Sequence, residues 1–168
     1  MKKICSVILC GPAVGKTYLS KTDSRFIDLD GMKAKYKYGI IDEIDFEKNK
    51  LNRGKVIHQD SLEYALNILK KEIQNDKIVL LSFNKELLAY LWDNNIDYFL
   101  VYPNINSREE YINRMKKRGN NEKFIESMTN VKDWNLFYSR NKNDTKPSYK
   151  IQLDEGQYLS DIKNKFFK

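Results

Sequence analysis

Apolar and polar positions in this chain follow two different periods. Short segments that read as strands occur at residues 4–9, 26–29, 78–81, 97–102 and 149–153. Ile78-Val-Leu-Leu81 is a continuous apolar run and reads as a central strand buried on both faces of a parallel sheet, and the apolar run 4–9 reads as a buried strand too. Between them the apolar positions recur every three or four residues. Residues 16–21 form a short helix. Residues 60–76, capped by Asp60 or Ser61, carry the stripe Leu62, Ala65, Leu66, Leu69 and Ile73. Residues 84–94 turn Leu87, Leu88, Leu91 and Trp92 inward. Residues 106–120 carry Tyr111, Ile112 and Met115 on one side and end at Gly119. One helix over 121–141 is expected to bury Phe124, Ile125, Met128, Trp134, Phe137 and Tyr138, and a last helix covers 157–168. Residues 31–59 are polar and less regular. The order β-α-β-(insert)-α-β-α-β-α-α-β-α predicts an α/β domain, a parallel sheet with helices on both faces. No repeat or linker divides residues 1–168, so a single domain is expected.

The first strand runs into Ile8-Leu-Cys-Gly-Pro-Ala-Val-Gly-Lys-Thr17 and then a helix. Strand, Gly-containing turn, Gly-Lys-Thr and helix make a phosphate-binding loop of the Walker A kind. Its backbone N–H groups wrap an anion and the helix N-terminus adds positive dipole. Gly11, Pro12, Ala13, Val14, Gly15, Lys16 and Thr17 are the expected nucleotide contacts. Gly15 admits close backbone approach, Lys16 reaches the β- and γ-phosphates, and the Thr17 hydroxyl ligates Mg²⁺. The pattern GxxxxGK[ST] wants glycine at position 10, where this chain has Cys10.

Asp28 and Asp30 close the second strand, and ligands of open α/β sheets bind at strand carboxyl ends. Asp28 suits Mg²⁺ through water, and Asp30 suits orientation or deprotonation of an acceptor hydroxyl. An ordinary Asp30-Gly31 turn is the plain alternative. The insert 31–59 offers Lys33, Lys35, Tyr36, Tyr38 and Arg53 as an acceptor-binding flap, or else it is a solvated insertion. Arg114, Lys117 and Arg118 are expected together on the polar side of the fourth-strand helix, with Arg108 nearby, as cations that close over polyphosphate. Ser82, not an acid, ends the third strand, which shifts the Mg²⁺ role to Thr17 and Asp28.

Charge changes this picture little. A net +7 suits an anionic ligand, a nucleotide or a nucleic acid, and equally suits a soluble Lys-rich chain. Cys5 and Cys10 are too close along one strand to pair, so both are read as reduced and the compartment as cytoplasmic. The stretch MKKICSVILC lacks a small-residue cleavage site and is not read as a signal peptide. No apolar run reaches membrane-spanning length. Lone His58 has no partners for a metal site or a triad.

The GPxxGKT loop, the DxD pair after strand two and the Arg-rich helix after strand four resemble the P-loop nucleoside monophosphate kinase-like group. More closely, IDYFLVYPNINSREEYINRMKKRGNNEKFIESM and IQLDEGQYLSDI look like small bacteriophage-type (deoxy)nucleoside monophosphate kinase-like proteins. The resemblance runs from Val7 to about Ile162. It implies a three-layer αβα P-loop NTPase fold with a five-stranded parallel sheet in the order 2-3-1-4-5. It implies ATP on Gly11 to Thr17, acceptor or Mg²⁺ contacts at Asp28 and Asp30, and a lid over residues 104–122 with Arg114 and Arg118 as phosphate clamps. Lys16, Asp30, Arg114 and Arg118 are then the catalytic set, and Thr17 and Asp28 the metal set. The function implied is ATP- and Mg²⁺-dependent phosphoryl transfer to a (deoxy)nucleoside monophosphate, in the host cytoplasm if phage-encoded. Transfer to a nucleic-acid end or base, or to a small alcohol, stays open, as does a nucleotide-binding module with little catalysis. The DGFPR-type acceptor motif of adenylate kinases is absent, since Ser82-Phe-Asn-Lys85 stands there.

Overall fold

The structure, a computed structural model, describes residues 2–29 and 61–168. Asp30, the 31–59 insert with His58, and Asp60 lie outside the described residues. Five strands form one all-parallel sheet in the order β2-β3-β1-β4-β5. They are β1 (Val7–Cys10), β2 (Phe26–Leu29), β3 (Ile78–Leu81), β4 (Tyr98–Pro103) and β5 (Tyr149–Leu153). Seven α-helices join them among the described residues: α1 (Lys16–Thr22), α2 (Ser61–Gln74), α3 (Lys85–Asp93), α4 (Arg108–Lys117), α5 (Glu122–Thr129), α6 (Val131–Asn143) and α7 (Leu159–Ile162). The expected α/β class and strand order are both found.

Every residue of β1, β3 and β4 is buried, because side chains on both faces meet helices. Alternate residues divide between two core clusters. Ile8, Ile78, Leu80, Phe99 and Val101 pack with Leu19, Tyr111, Met115, Ile125, Trp134 and Leu159. Val7, Leu9, Val79, Leu81, Tyr98 and Leu100 pack with Ala65, Leu69, Leu87 and Leu91 from α2 and α3. This period-2 division is what a pleated strand imposes. At about 25 cal/mol per Å² of apolar surface, a fully buried leucine such as Leu69 contributes roughly 2 kcal/mol. No described helix is long and apolar enough to cross a membrane.

Four expectations on elements are corrected. The first strand is Val7–Cys10 rather than 4–9, since Lys3 and Ile4 pair instead with the chain end through Lys2–Lys168 and Ile4–Phe166 backbone bonds. The helix expected over 121–141 is two helices. Asn130 has ψ 147 and its side chain accepts from the Asp133 N–H, so it caps the start of α6 while its own N–H closes α5 on Glu126. The last helix is shorter than 157–168, a single α-turn continued as a 3₁₀ turn over Lys163–Phe166. Trp92 is 45% exposed instead of inward, its indole N–H bonding the Tyr98 hydroxyl.

Candidate functional site: the loop after the central strand

β1 is the middle strand, and the chain leaves its carboxyl end as the tight loop Gly11 to Gly15 before α1 begins. Two residues there have left-handed backbone: Ala13 at φ 60 and Gly15 at φ 89. At Gly15 an added Cβ would also lie 3.3 Å from Tyr158 Cδ1. Ala13 takes the same region with a side chain, at a cost of about 1–2 kcal/mol. Lys16 folds back over the loop, its ammonium donating to the Gly11 carbonyl at 2.8 Å. A half-buried cation thus spans the mouth of the turn.

Thr17 and Asp28, paired from the sequence as metal ligands, are in contact. The Thr17 hydroxyl donates to Asp28 Oδ2 at 2.8 Å. β2 is two strands from β1, and Asp28 stands beside Leu80 of β3. The reach is therefore made by α1, which carries Thr17 toward β2. Both groups offer hard oxygen, the donor type Mg²⁺ prefers. Among the described residues no cluster of three or more His, Cys, Asp or Glu could hold a metal. The rest of an Mg²⁺ shell would come from water and phosphate.

Cys10, in place of the first pattern glycine, is fully buried at the end of β1. Burial pushes its thiol up to about 11, against the lowering influence of Lys16. It is a protonated, inert thiol in the core beneath the loop's first residue. Cys5 is pushed up to about 12 by burial as well. Both cysteines are free.

The basic helix is arranged differently from the expectation. Arg114 is 7% exposed and sits with Tyr111 and Met115, not on an outer cationic side. Its guanidinium donates to the Ala13 carbonyl at 3.2 Å, to the Gln157 carbonyl at 3.0 Å and to Glu110 one turn earlier. It stacks 3.7 Å from the centre of the Tyr158 ring. Helical spacing allows either placement, since 114 neighbours 111 as well as 117 and 118; the burial of Tyr111 and Met115 turns Arg114 to the core side. Arg108 is likewise engaged, donating to the Thr129 carbonyl at 2.5 Å and to Glu109. Arg118 is exposed, at the end of α4, and Gly119 at φ 73 terminates that helix through its N–H bond to the Lys116 carbonyl. Buried Tyr111, Arg114 and Met115 seat most of the 104–122 segment, leaving residues 116–118 as its exposed cations.

Sequence reading missed the turn between β5 and α7. The Leu159 N–H donates to the Val14 carbonyl at 3.0 Å, and Glu110 Oε2 accepts the Gly156 N–H at 3.0 Å. Tyr158 lies over Gly15. Only the i,i+4 pair Glu110–Arg114 was visible as a pattern; contacts across more than forty residues have no local signature. Phe83, two residues beyond β3, is 40% exposed and meets Phe137 edge-to-face at 5.4 Å beside Gly11.

No family model matches the chain, and no curated protein does. One solved structure, the crystal structure of an uncharacterized protein from Eubacterium ventriosum ATCC 27560, is similar over 98% of this chain and 96% of its own. The identity is 15% and the TM-score 0.47, and that protein's name assigns it no activity.

Proposed function

We propose that this chain is an ATP- and Mg²⁺-dependent phosphotransferase with a P-loop NTPase fold, acting on a (deoxy)nucleoside monophosphate. The observation that carries the donor half is the loop after β1: Lys16 across its mouth and the Thr17–Asp28 pair beside it at 2.8 Å. An anion wrapped by the Gly15 and Lys16 N–H groups would release Lys16 from Gly11 and take its ammonium. When bound, Mg²⁺ would screen polyphosphate charge, with Thr17 and Asp28 as its protein contacts. Catalysis in this reading is positioning and charge stabilisation, with no covalent enzyme intermediate. Arg118 and its exposed neighbours on the end of α4 remain candidates for the clamp, and Asp30 for the acceptor side. The acceptor class rests on the sequence resemblance alone.

A second reading, a nucleotide-binding module with little catalysis, is favoured by one observation. Arg114 is committed to the protein's own carbonyls, which removes one of the two proposed clamps. One experiment separates them: ATP turnover with all common ribo- and deoxynucleoside monophosphates and a 5′-hydroxyl oligonucleotide. The kinase reading expects transfer to at least one monophosphate. Transfer only to the oligonucleotide replaces the acceptor, and ATP binding without any transfer leaves the module.

A further inference from the structure

We infer that Arg114 is a positioning residue, one that sets the shape of the phosphate loop through the Ala13 carbonyl. This rests on reading the loop as a phosphate site. The peptide unit is planar and trans, so its C=O and the following N–H point in opposite directions. A bond to the Ala13 carbonyl therefore also aims the Val14 N–H, and a bond to the Val14 carbonyl aims the Gly15 N–H. The first is made by Arg114 at 3.2 Å and the second by the Leu159 N–H at 3.0 Å. Both restraints meet where the backbone needs them. Ala13 holds φ 60 with a side chain present, and such conformations persist only where surroundings over-determine them.

The arginine is built for this task. Glu110 balances its charge from one turn away, which repays part of the cost of burial. Tyr158 covers its face at 3.7 Å, and the Gln157 carbonyl takes another N–H at 3.0 Å. Glu110 in turn accepts the Gly156 N–H, so α4, the β5–α7 turn and the phosphate loop are joined through one guanidinium. The planar guanidinium donates from two nitrogens to carbonyls on two separate segments while lying over the Tyr158 ring, a fixed fork that a compact ammonium does not reproduce. Arg114 thus acts on how well the loop is shaped before an anion arrives, and its loss weakens phosphate binding rather than the chemical step.

The test is ATP binding by calorimetry with Mg²⁺, in wild type, Arg114→Ala, Arg114→Lys and Glu110→Gln. Leu69→Ala, a cavity in the other core cluster, is the stability control. Hydrogen exchange of the Leu159 amide is read in parallel. The expected result is an ATP Kd raised about 10- to 100-fold in both Arg114 variants, the size of a lost charge-assisted hydrogen bond. Lysine should not rescue it, Glu110→Gln should give a smaller loss in the same direction, and Leu69→Ala should bind like wild type. Where turnover is measurable, KM rises and kcat holds. Folded Arg114 variants that bind like wild type, rescue by lysine, or equal losses in Leu69→Ala overturn the inference. If Arg114→Ala does not fold, Arg114→Lys and Glu110→Gln decide. A wild-type chain that binds neither ATP nor tripolyphosphate overturns the phosphate-site reading instead. Leu159 exchange then decides for Arg114: faster exchange in the variants supports its hold on the loop, and unchanged exchange removes it.

Discussion

Replacing Gly15 with alanine should destabilise the fold by about 2–3 kcal/mol, from two separable causes. The backbone there sits at φ 89, a region that costs an L-residue roughly 1–2 kcal/mol. The new methyl also meets Tyr158 Cδ1 at 3.3 Å, closer than ordinary van der Waals contact. The ring cannot retreat freely, because Arg114 stacks on it at 3.7 Å, an interaction worth about 0.5–2 kcal/mol. Crowding should therefore add about 1 kcal/mol to the backbone cost. Denaturant unfolding of wild type, Gly15→Ala, Tyr158→Ala and the double variant separates the two. Removing the ring relieves the contact and leaves the φ cost, so the double variant should be about 1 kcal/mol more stable than the sum of the single effects requires. A Gly15→Ala protein within about 0.5 kcal/mol of wild type would refute the left-handed turn. Strict additivity would refute the Tyr158 contact while leaving the turn intact.

Two further outcomes are expected. Asp28→Asn should raise the Mg²⁺ concentration needed for half-maximal ATP binding by about tenfold or more, because it weakens the carboxylate bonded to Thr17; an unchanged Mg²⁺ titration would remove Asp28 from the metal's surroundings. Asp23 is lowered to about 2, first by the side-chain hydrogen bond from Arg25 at 2.9 and 2.6 Å, so the stability it contributes is complete above its ordinary value near 4 and is lost as pH falls toward 2. Unfolding free energies measured from pH 5 to 2 should fall less steeply in Asp23→Asn, and parallel curves would refute the assignment.

The fold was legible in part because a central parallel strand has a plain signature: the continuous apolar run 78–81 matches β3 to the residue. The segments 26–29 and 149–153, which carry polar residues and form the two sheet edges, match β2 and β5 as well. Where reading failed, a competing local rule decided. Between 121 and 141 the apolar spacing continues, yet Asn130 offers its own side chain as an acceptor and breaks the helix. Near the N-terminus, Ile4 opens the apolar run toward β1, yet the chain end takes the backbone groups of residues 2 and 4. Trp92 continues the stripe of α3, but it falls in that helix's last turn, and its indole N–H finds the Tyr98 hydroxyl at the margin of the core.

The loop residues Gly11 to Thr17 were readable as a motif, and their partner Asp28 as a carboxylate at a strand's carboxyl end. Arg114 was not, and the reason is instructive about charge. Grouping it with Lys117 and Arg118 treats a cation as solvent-seeking. Helix geometry allows both readings, since 114 shares a side with 111 and, beside it, 115, two core residues, and equally lies three and four positions from 117 and 118. What decides between the readings is whether the buried guanidinium finds partners, because an uncompensated buried charge costs several kcal/mol. Its partners are Glu110, one turn away and visible in the sequence, and the carbonyls of Ala13 and Gln157, which are not. A backbone carbonyl is the same group at every residue, so no sequence pattern marks which one an arginine will meet. The helix stripe and the i,i+4 glutamate allow a buried, paired arginine; that it is buried, and which loop it braces, is information that only the folded chain contains.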